Sequence, residues 1–179
     1  DMETGTKIIL NIFGPSTVGK STIAEKLQSH IDQLYTVDFD VVKRQIQGYH
    51  WQRDGGVATE ITYDTLVSVA KTDLPILALL PPPKQKETYD RIAEIAATSG
   101  RTLVNIEIVA PETILIQRYE DRLQQVRESG SNWKFKTLDE FKAGLQQGYY
   151  RPEDTHTFDS SLLSPDEIFS DVEELLKNL

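Results

Sequence analysis

The 179-residue sequence predicts a three-layer α/β domain, a parallel sheet with helices on both faces. Short apolar runs alternate with amphipathic stretches along the whole chain, with no internal repeat. The apolar runs are close to continuous, as in Lys-Ile-Ile-Leu-Asn-Ile-Phe at 7–13, which is the pattern of a strand covered on both sides. The stretches between them carry apolar residues at three- and four-residue spacing, the period of a helix with one buried face. The length suits one domain.

The first strand, 7–13, ends at Gly14, and a helix follows from Gly19 with Ile23, Leu27 and Ile31 in step. A short second strand is expected at 35–39, a helix at 41–47 and a polar, aromatic loop at 48–56. The next helix, 60–71, carries Ile61, Leu66, Val69 and Ala70 on one side. The third strand, 75–80, is closed by Pro81, Pro82 and Pro83, which have no amide hydrogen to continue a ladder. A helix at 84–98 stops before Gly100. After a fourth strand at 102–109, Ala110-Pro111-Glu112 opens a long helix to about Arg127, with Pro111 in its first turn. The stretch 128–152, with Gly130, Gly148 and the pair Tyr149-Tyr150, reads as an irregular or partly helical excursion. A fifth strand at 155–159 leads to Ser164, a helix cap, and Pro165, the first residue of a final helix to Leu176.

Composition narrows the function. The 19 Lys and Arg against 28 Asp and Glu leave a net charge of −9, which disfavours long-range attraction to nucleic acid and leaves room only for a local basic pocket. Without cysteine there is no disulfide, thiolate metal site or thiol catalysis, and three scattered histidines do not suggest a zinc site. No apolar run approaches a membrane span, the opening residues carry no signal segment, and a cytoplasmic protein without a membrane partner is expected.

The chemistry is concentrated at Gly14-Pro15-Ser16-Thr17-Val18-Gly19-Lys20-Ser21, followed by Thr22, between an apolar strand and an amphipathic helix. This is the G-x-x-x-x-G-K-[ST] phosphate loop in the context it requires. Its glycines let successive amides point at phosphate oxygens, and the following helix turns its positive dipole end to them. Lys20 adds a mobile charge near the β- and γ-phosphates, and the Ser21 hydroxyl suits Mg²⁺. Two carboxylates, Asp38 and Asp40, close the second strand on one side of the backbone, facing the same crevice unless either serves to cap the next helix. Arg118 and Arg122, four apart, share a helix face, with Glu120, Asp121 and Glu128 as alternative surface partners. Lys43, Arg44 and Arg53, among Tyr49, His50 and Trp51, suit a planar or anionic molecule, or else a solvated helix face.

The segment 14–22 followed by Val37-Asp38-Phe39-Asp40 resembles the small P-loop kinases of the nucleoside monophosphate, shikimate, gluconate and chloramphenicol kinase group. It is also similar to the kinase domains of polynucleotide kinases and to zeta-toxin-like kinases. The resemblance implies a P-loop NTPase fold with strand order 2-3-1-4-5, ATP as phosphoryl donor, Mg²⁺ and a small-molecule acceptor, with a lid at 128–150. It implies that Asp38 holds Mg²⁺ through water and that Asp40 binds the acceptor hydroxyl and takes its proton. Arg118 and Arg122 would be lid arginines over the transferring group, and Lys43, Arg44 and Arg53 would lie on the acceptor-holding segment. Two departures stand out: no acidic residue ends the third strand, and no Walker B aspartate follows strands three or four, so the metal role falls on Ser21 and Asp38. A nucleoside or nucleotide-like acceptor is favoured; a polynucleotide 5′-hydroxyl kinase and a non-catalytic nucleotide-binding module are the alternatives. The sequence leaves open ATP against GTP, the oligomeric state, which aspartate is the base, and whether Arg127 and Arg151 take part.

Overall fold

In the computed structural model, which describes residues 7–132 and 134–179, every residue of β1 (Ile8–Phe13) is buried, because β1 is the middle strand of five. β2 (Tyr35–Asp38), β3 (Ile76–Leu79), β4 (Thr102–Val109) and β5 (His156–Asp159) complete a parallel sheet in the order β2-β3-β1-β4-β5. The alternation of β1 divides the core. Leu10 and Ile12, with Ile106 and Ile108 of β4, pack against α1 (Lys20–His30), α5 (Glu112–Glu128), α6 (Leu138–Gln147) and α7 (Pro165–Lys177). Ile9, with Ile76 and Ala78 of β3, packs against α3 (Trp51–Ala70) and α4 (Lys86–Thr98). The register sets Asp38 opposite Leu79 and Phe13 opposite Glu107, so the carboxyl ends of the strands open on one edge. A sheet of this kind binds its ligands there, at the switch of strand order around β1.

Several boundaries differ from those the sequence predicts. The helix expected at 41–47 is α2 (Phe39–Gln45), because the Asp38 side chain caps it by accepting from the Asp40 amide at 2.8 Å. The expected loop 48–56 is mostly the first turns of α3, despite Gly55 and Gly56. There His50 Nδ1 accepts from the Gln52 amide and the Asp54 carboxylate accepts from the His50 amide, so two side chains hold the turn that the glycines would loosen. Pro111 is the cap residue of α5 rather than part of its first turn. The excursion after α5 contains α6, fixed to α5 by a stacked pair, Tyr119 and Phe141, with ring centroids 4.0 Å apart. Ser164 forms a full capping box with Glu167 at the start of α7, as its position before Pro165 predicts. Residues 1–6, on which the expectation of no signal segment falls, lie outside the described residues, and among those described no helix is long and apolar enough to cross a membrane.

Candidate active site

The loop from Gly14 to Gly19 turns on two positive φ angles that glycine accommodates. Gly14 has φ 149°, and a Cβ there would lie 2.2 Å from the Ile108 carbonyl oxygen, so the loop leaves β1 pressed against β4. Gly19, at φ 105°, is the cap residue of α1 and offers no side chain to its amides. Of the helices described, α1 alone has neither a side-chain cap nor an acidic residue in its first turn. Its amides and dipole therefore meet no negative group of their own helix, which is what an incoming phosphate requires. Lys20 folds back across the loop, its Nζ donating to the Gly14 carbonyl at 2.7 Å. Two arginines of α5 reach the loop from the other side: Arg118 Nη1 donates to the Thr17 carbonyl at 3.2 Å, and Arg122 Nη1 to Ser16 Oγ at 3.2 Å. Thr17, at φ 70°, is held in its unusual conformation by donating its hydroxyl to Leu115.

Next to Lys20 lie the two aspartates. Burial lowers the Lys20 pKa to about 8, opposed by Asp40 and Asp38 and reinforced by Lys43 and Arg122. These five charges thus form one electrostatic group at the mouth of the loop. Asp38 caps α2, as one of the two readings of the sequence has it, and burial raises its pKa against the pull of the Asp40 amide. Asp40 stands in the first turn of α2 rather than on the strand, in an ion pair with Lys43 at 2.7 Å. Burial pushes its pKa up, but Lys43, Lys20 and Arg122 together hold it below the usual carboxylate value. Arg44 is exposed and adds positive charge near Asp38. Arg53 is turned to its neighbour Asp54 and to the Gly48 carbonyl, and Arg127 is exposed in the last turn of α5.

No protein-family model and no curated protein matches the chain. Among solved structures, a proposed kinase from Chloroflexus aurantiacus J-10-fl superposes with a TM-score of 0.73 at 16% identity, over 94% of this chain and 98% of that one. A gluconokinase from Sinorhizobium meliloti 1021 gives 0.64 at 14%, over 97% and 95%. A shikimate kinase from Aquifex aeolicus VF5 gives 0.61 at 18%, over 95% and 96%. The chain has the fold of the small P-loop kinases.

Within this P-loop kinase fold, a cavity of about 320 Å³ opens beside the phosphate loop. Arg118, Thr17, Val18 and Gly19 form one part of its wall, and Ile23, Leu163, Pro165 and Ile168 an apolar part. Ser160 ties the two sides, its hydroxyl donating to the Val18 carbonyl at 2.7 Å. On the opposite face of the sheet the fold holds a buried carboxylate that no sequence motif singles out, Glu107 of β4. Its Oε1 accepts from Arg151 Nε at 2.9 Å and Thr157 Oγ1 at 3.0 Å, and its Oε2 from the Tyr149 hydroxyl at 2.5 Å. Tyr149 packs edge-on against Phe13, the residue before Gly14. Arg151 thus anchors the segment that leaves α6 to the strand beneath the phosphate loop. The signal in the sequence is that Glu107 is the one acid of β4, although its three partners come from 42 to 50 residues away.

Proposed function

We propose that the protein is an ATP-dependent phosphotransferase that moves a γ-phosphoryl group to a hydroxyl or phosphate of a small molecule, with a nucleoside or nucleotide-like acceptor preferred. One observation carries this reading: the Asp40 carboxylate stands in the same electrostatic group as Lys20, at the open end of an uncapped helix whose loop is gripped by Arg118 and Arg122. A phosphate nest alone needs no carboxylate, whereas an ionised carboxylate beside it would suit an acceptor hydroxyl.

The residues 14–22 would cradle the donor phosphates, with the base in the cavity between Arg118 and the apolar wall of Leu163 and Pro165. On phosphate arrival Lys20 would exchange its bond to Gly14 for one to the β- and γ-oxygens. The donor set fits Mg²⁺, which prefers oxygen ligands, keeps several waters and takes one or two protein groups alongside phosphates: Ser21 stands in the first turn of α1, and Asp38 is within charge range of Lys20. When bound, Mg²⁺ would neutralise negative charge on the donor phosphates. Asp40, ionised at neutral pH, would orient the acceptor hydroxyl and take its proton as the oxygen bonds to phosphorus. A loose transition state suits so weak a base, because the proton leaves late. Arg118 and Arg122 would spread the charge of the transferring group. We further propose that residues 1–179 form a single domain, that 128–150 act as its lid, and that it works in the cytoplasm.

The position of Asp40 beside Lys20 favours a kinase over a non-catalytic nucleotide-binding module, and the net charge of −9 disfavours a polynucleotide acceptor. The test is incubation of purified protein and Lys20→Ala with Mg²⁺ and γ-labelled ATP against nucleosides, nucleotides, sugars, sugar acids, aminoglycosides and 5′-hydroxyl oligonucleotides. Lys20-dependent transfer to one class is expected. Wild-type label transfer that Lys20→Ala leaves intact would contradict the reading.

A further inference from the structure

Among the described residues only two other than glycine have a positive φ: Gln33, in the turn before β2, and Thr17, at φ 70° within the phosphate loop. For a β-branched residue this conformation is an outlier, because its crowded Cβ meets the neighbouring backbone there. The loop motif fixes no residue at this position, and glycine would adopt the angle without strain. What threonine brings is a hydroxyl, and that hydroxyl donates to the Leu115 carbonyl of α5 at 3.2 Å.

Three contacts run from α5 to two adjacent residues of the loop. Besides the Leu115 carbonyl, Arg118 donates to the Thr17 carbonyl and Arg122 to Ser16 Oγ, each at 3.2 Å. Leu115, Arg118 and Arg122 follow at i, i+3 and i+7, along one face of the helix. The contacts differ in what a nucleotide does to them. Under the kinase reading above, both arginines turn to the phosphoryl groups and release the loop. The bond from Thr17 ends on a main-chain carbonyl, to which a phosphate oxygen offers no proton, so of the three it alone remains. Were Thr17 to leave the left-handed region, the peptides beside it would turn, and the loop amides would no longer converge on a phosphate. Strain that surrounding contacts hold in place at a ligand site is a mark of a conformation set before the ligand arrives.

We propose that Thr17 is a positioning residue of the donor site: its hydroxyl, bound to α5 through the Leu115 carbonyl, holds the phosphate loop in its phosphate-receiving shape, and nucleotide affinity depends on that bond. The proposal rests on the kinase reading above and adds to it how the loop keeps its shape once the arginines leave it.

The test is calorimetric titration of β,γ-imido-ATP with Mg²⁺ into the wild type, Thr17→Ser, Thr17→Val and Thr17→Gly, with the Tm of each recorded. A loop that is in the competent shape only part of the time binds more weakly by that fraction. Thr17→Ser keeps the hydroxyl and should bind within about threefold of the wild type. Thr17→Val keeps the shape and the strain without the bond, and should bind more weakly by about tenfold or more. Thr17→Gly has neither bond nor strain, so it should bind at least about fivefold more tightly than Thr17→Val. Thr17→Ala, with a Cβ and no hydroxyl, should also bind more weakly than Thr17→Gly, and takes the place of Thr17→Val if that variant does not fold. Affinity of Thr17→Val within about threefold of the wild type, whatever its Tm, overturns the proposal, since Thr17 would then serve the fold alone. Thr17→Gly binding as weakly as Thr17→Val also overturns it, since the hydroxyl would then act on the nucleotide directly rather than through the loop. Failure of the analogue to bind the wild type overturns the kinase reading itself, a result distinct from binding in which the variants do not follow this order.

Discussion

Nucleotide binding should be coupled to a proton through Lys20. Burial holds its pKa to about 8 against an ordinary lysine value of 10.5. At about pH 8.5 the free protein therefore carries that proton in roughly a quarter of its molecules, whereas at about pH 7 it does so in roughly nine-tenths. A triphosphate placed against the ammonium restores the charged form, so binding should take up roughly three-quarters of a proton at the higher pH and roughly a tenth at the lower. Above about pH 8 affinity should fall toward tenfold per unit. The phosphates of ATP are fully ionised there and contribute no uptake of their own. Isothermal titration in buffers of different ionisation enthalpy reads the stoichiometry directly. Lys20→Met should bind weakly with no uptake in this range. Buffer-independent heats at about pH 8.5 in the wild type, or the same uptake in Lys20→Met, would refute the assignment of this linkage to Lys20. The sign for folding follows from the same shift: between about pH 8 and 10.5 the unfolded chain binds the extra proton, so the nucleotide-free protein gains stability from this group as pH rises through that window.

Gly14→Ala should destabilise the fold by about 2–4 kcal/mol in denaturant titrations, since its Cβ would collide with a backbone oxygen of β4 at a φ that side chains resist. Arg122→Ala should lower the transfer rate by about 10²-fold or more with a smaller change in nucleotide affinity, read as separate effects on kcat and KM, because its charge serves a developing one. Glu107→Gln should cost about 1–2 kcal/mol and lower Tm, since Arg151 and Tyr149 lose a charged acceptor in a buried setting. Amide exchange over 128–150 should slow when nucleotide and acceptor are both bound, and exchange already slow without them would remove the lid.

What the sequence reveals follows the range of the interactions involved. β4 has the boundaries its apolar run predicts, and the α7 cap is legible, because pattern and capping chemistry lie within a few residues. The start of α3 was not legible: Gly55 and Gly56 weaken a helix by propensity, and its stabilisation comes from the His50 and Asp54 contacts together with the docking of 134–136 onto Tyr49 and Trp51. The phosphate loop was fully readable as a contiguous motif. The reach of Arg118 and Arg122 to it, across about a hundred residues, follows from a helix-face argument only once the strand order is known. The partners of Glu107 depend on packing between distant segments, which no local period encodes.

The most direct test of the central claim is phosphoryl transfer by Asp40→Asn. The amide keeps the size of the side chain and can still accept a hydrogen bond, but it cannot take a proton, and it removes the negative charge facing Lys20 and Lys43. With the acceptor identified, the account predicts near-normal ATP affinity and a fall of about 10²- to 10⁴-fold in kcat for acceptor phosphorylation. Full transfer activity in Asp40→Asn would contradict it and leave Asp40 as a residue of the first turn of α2 with no part in the chemistry.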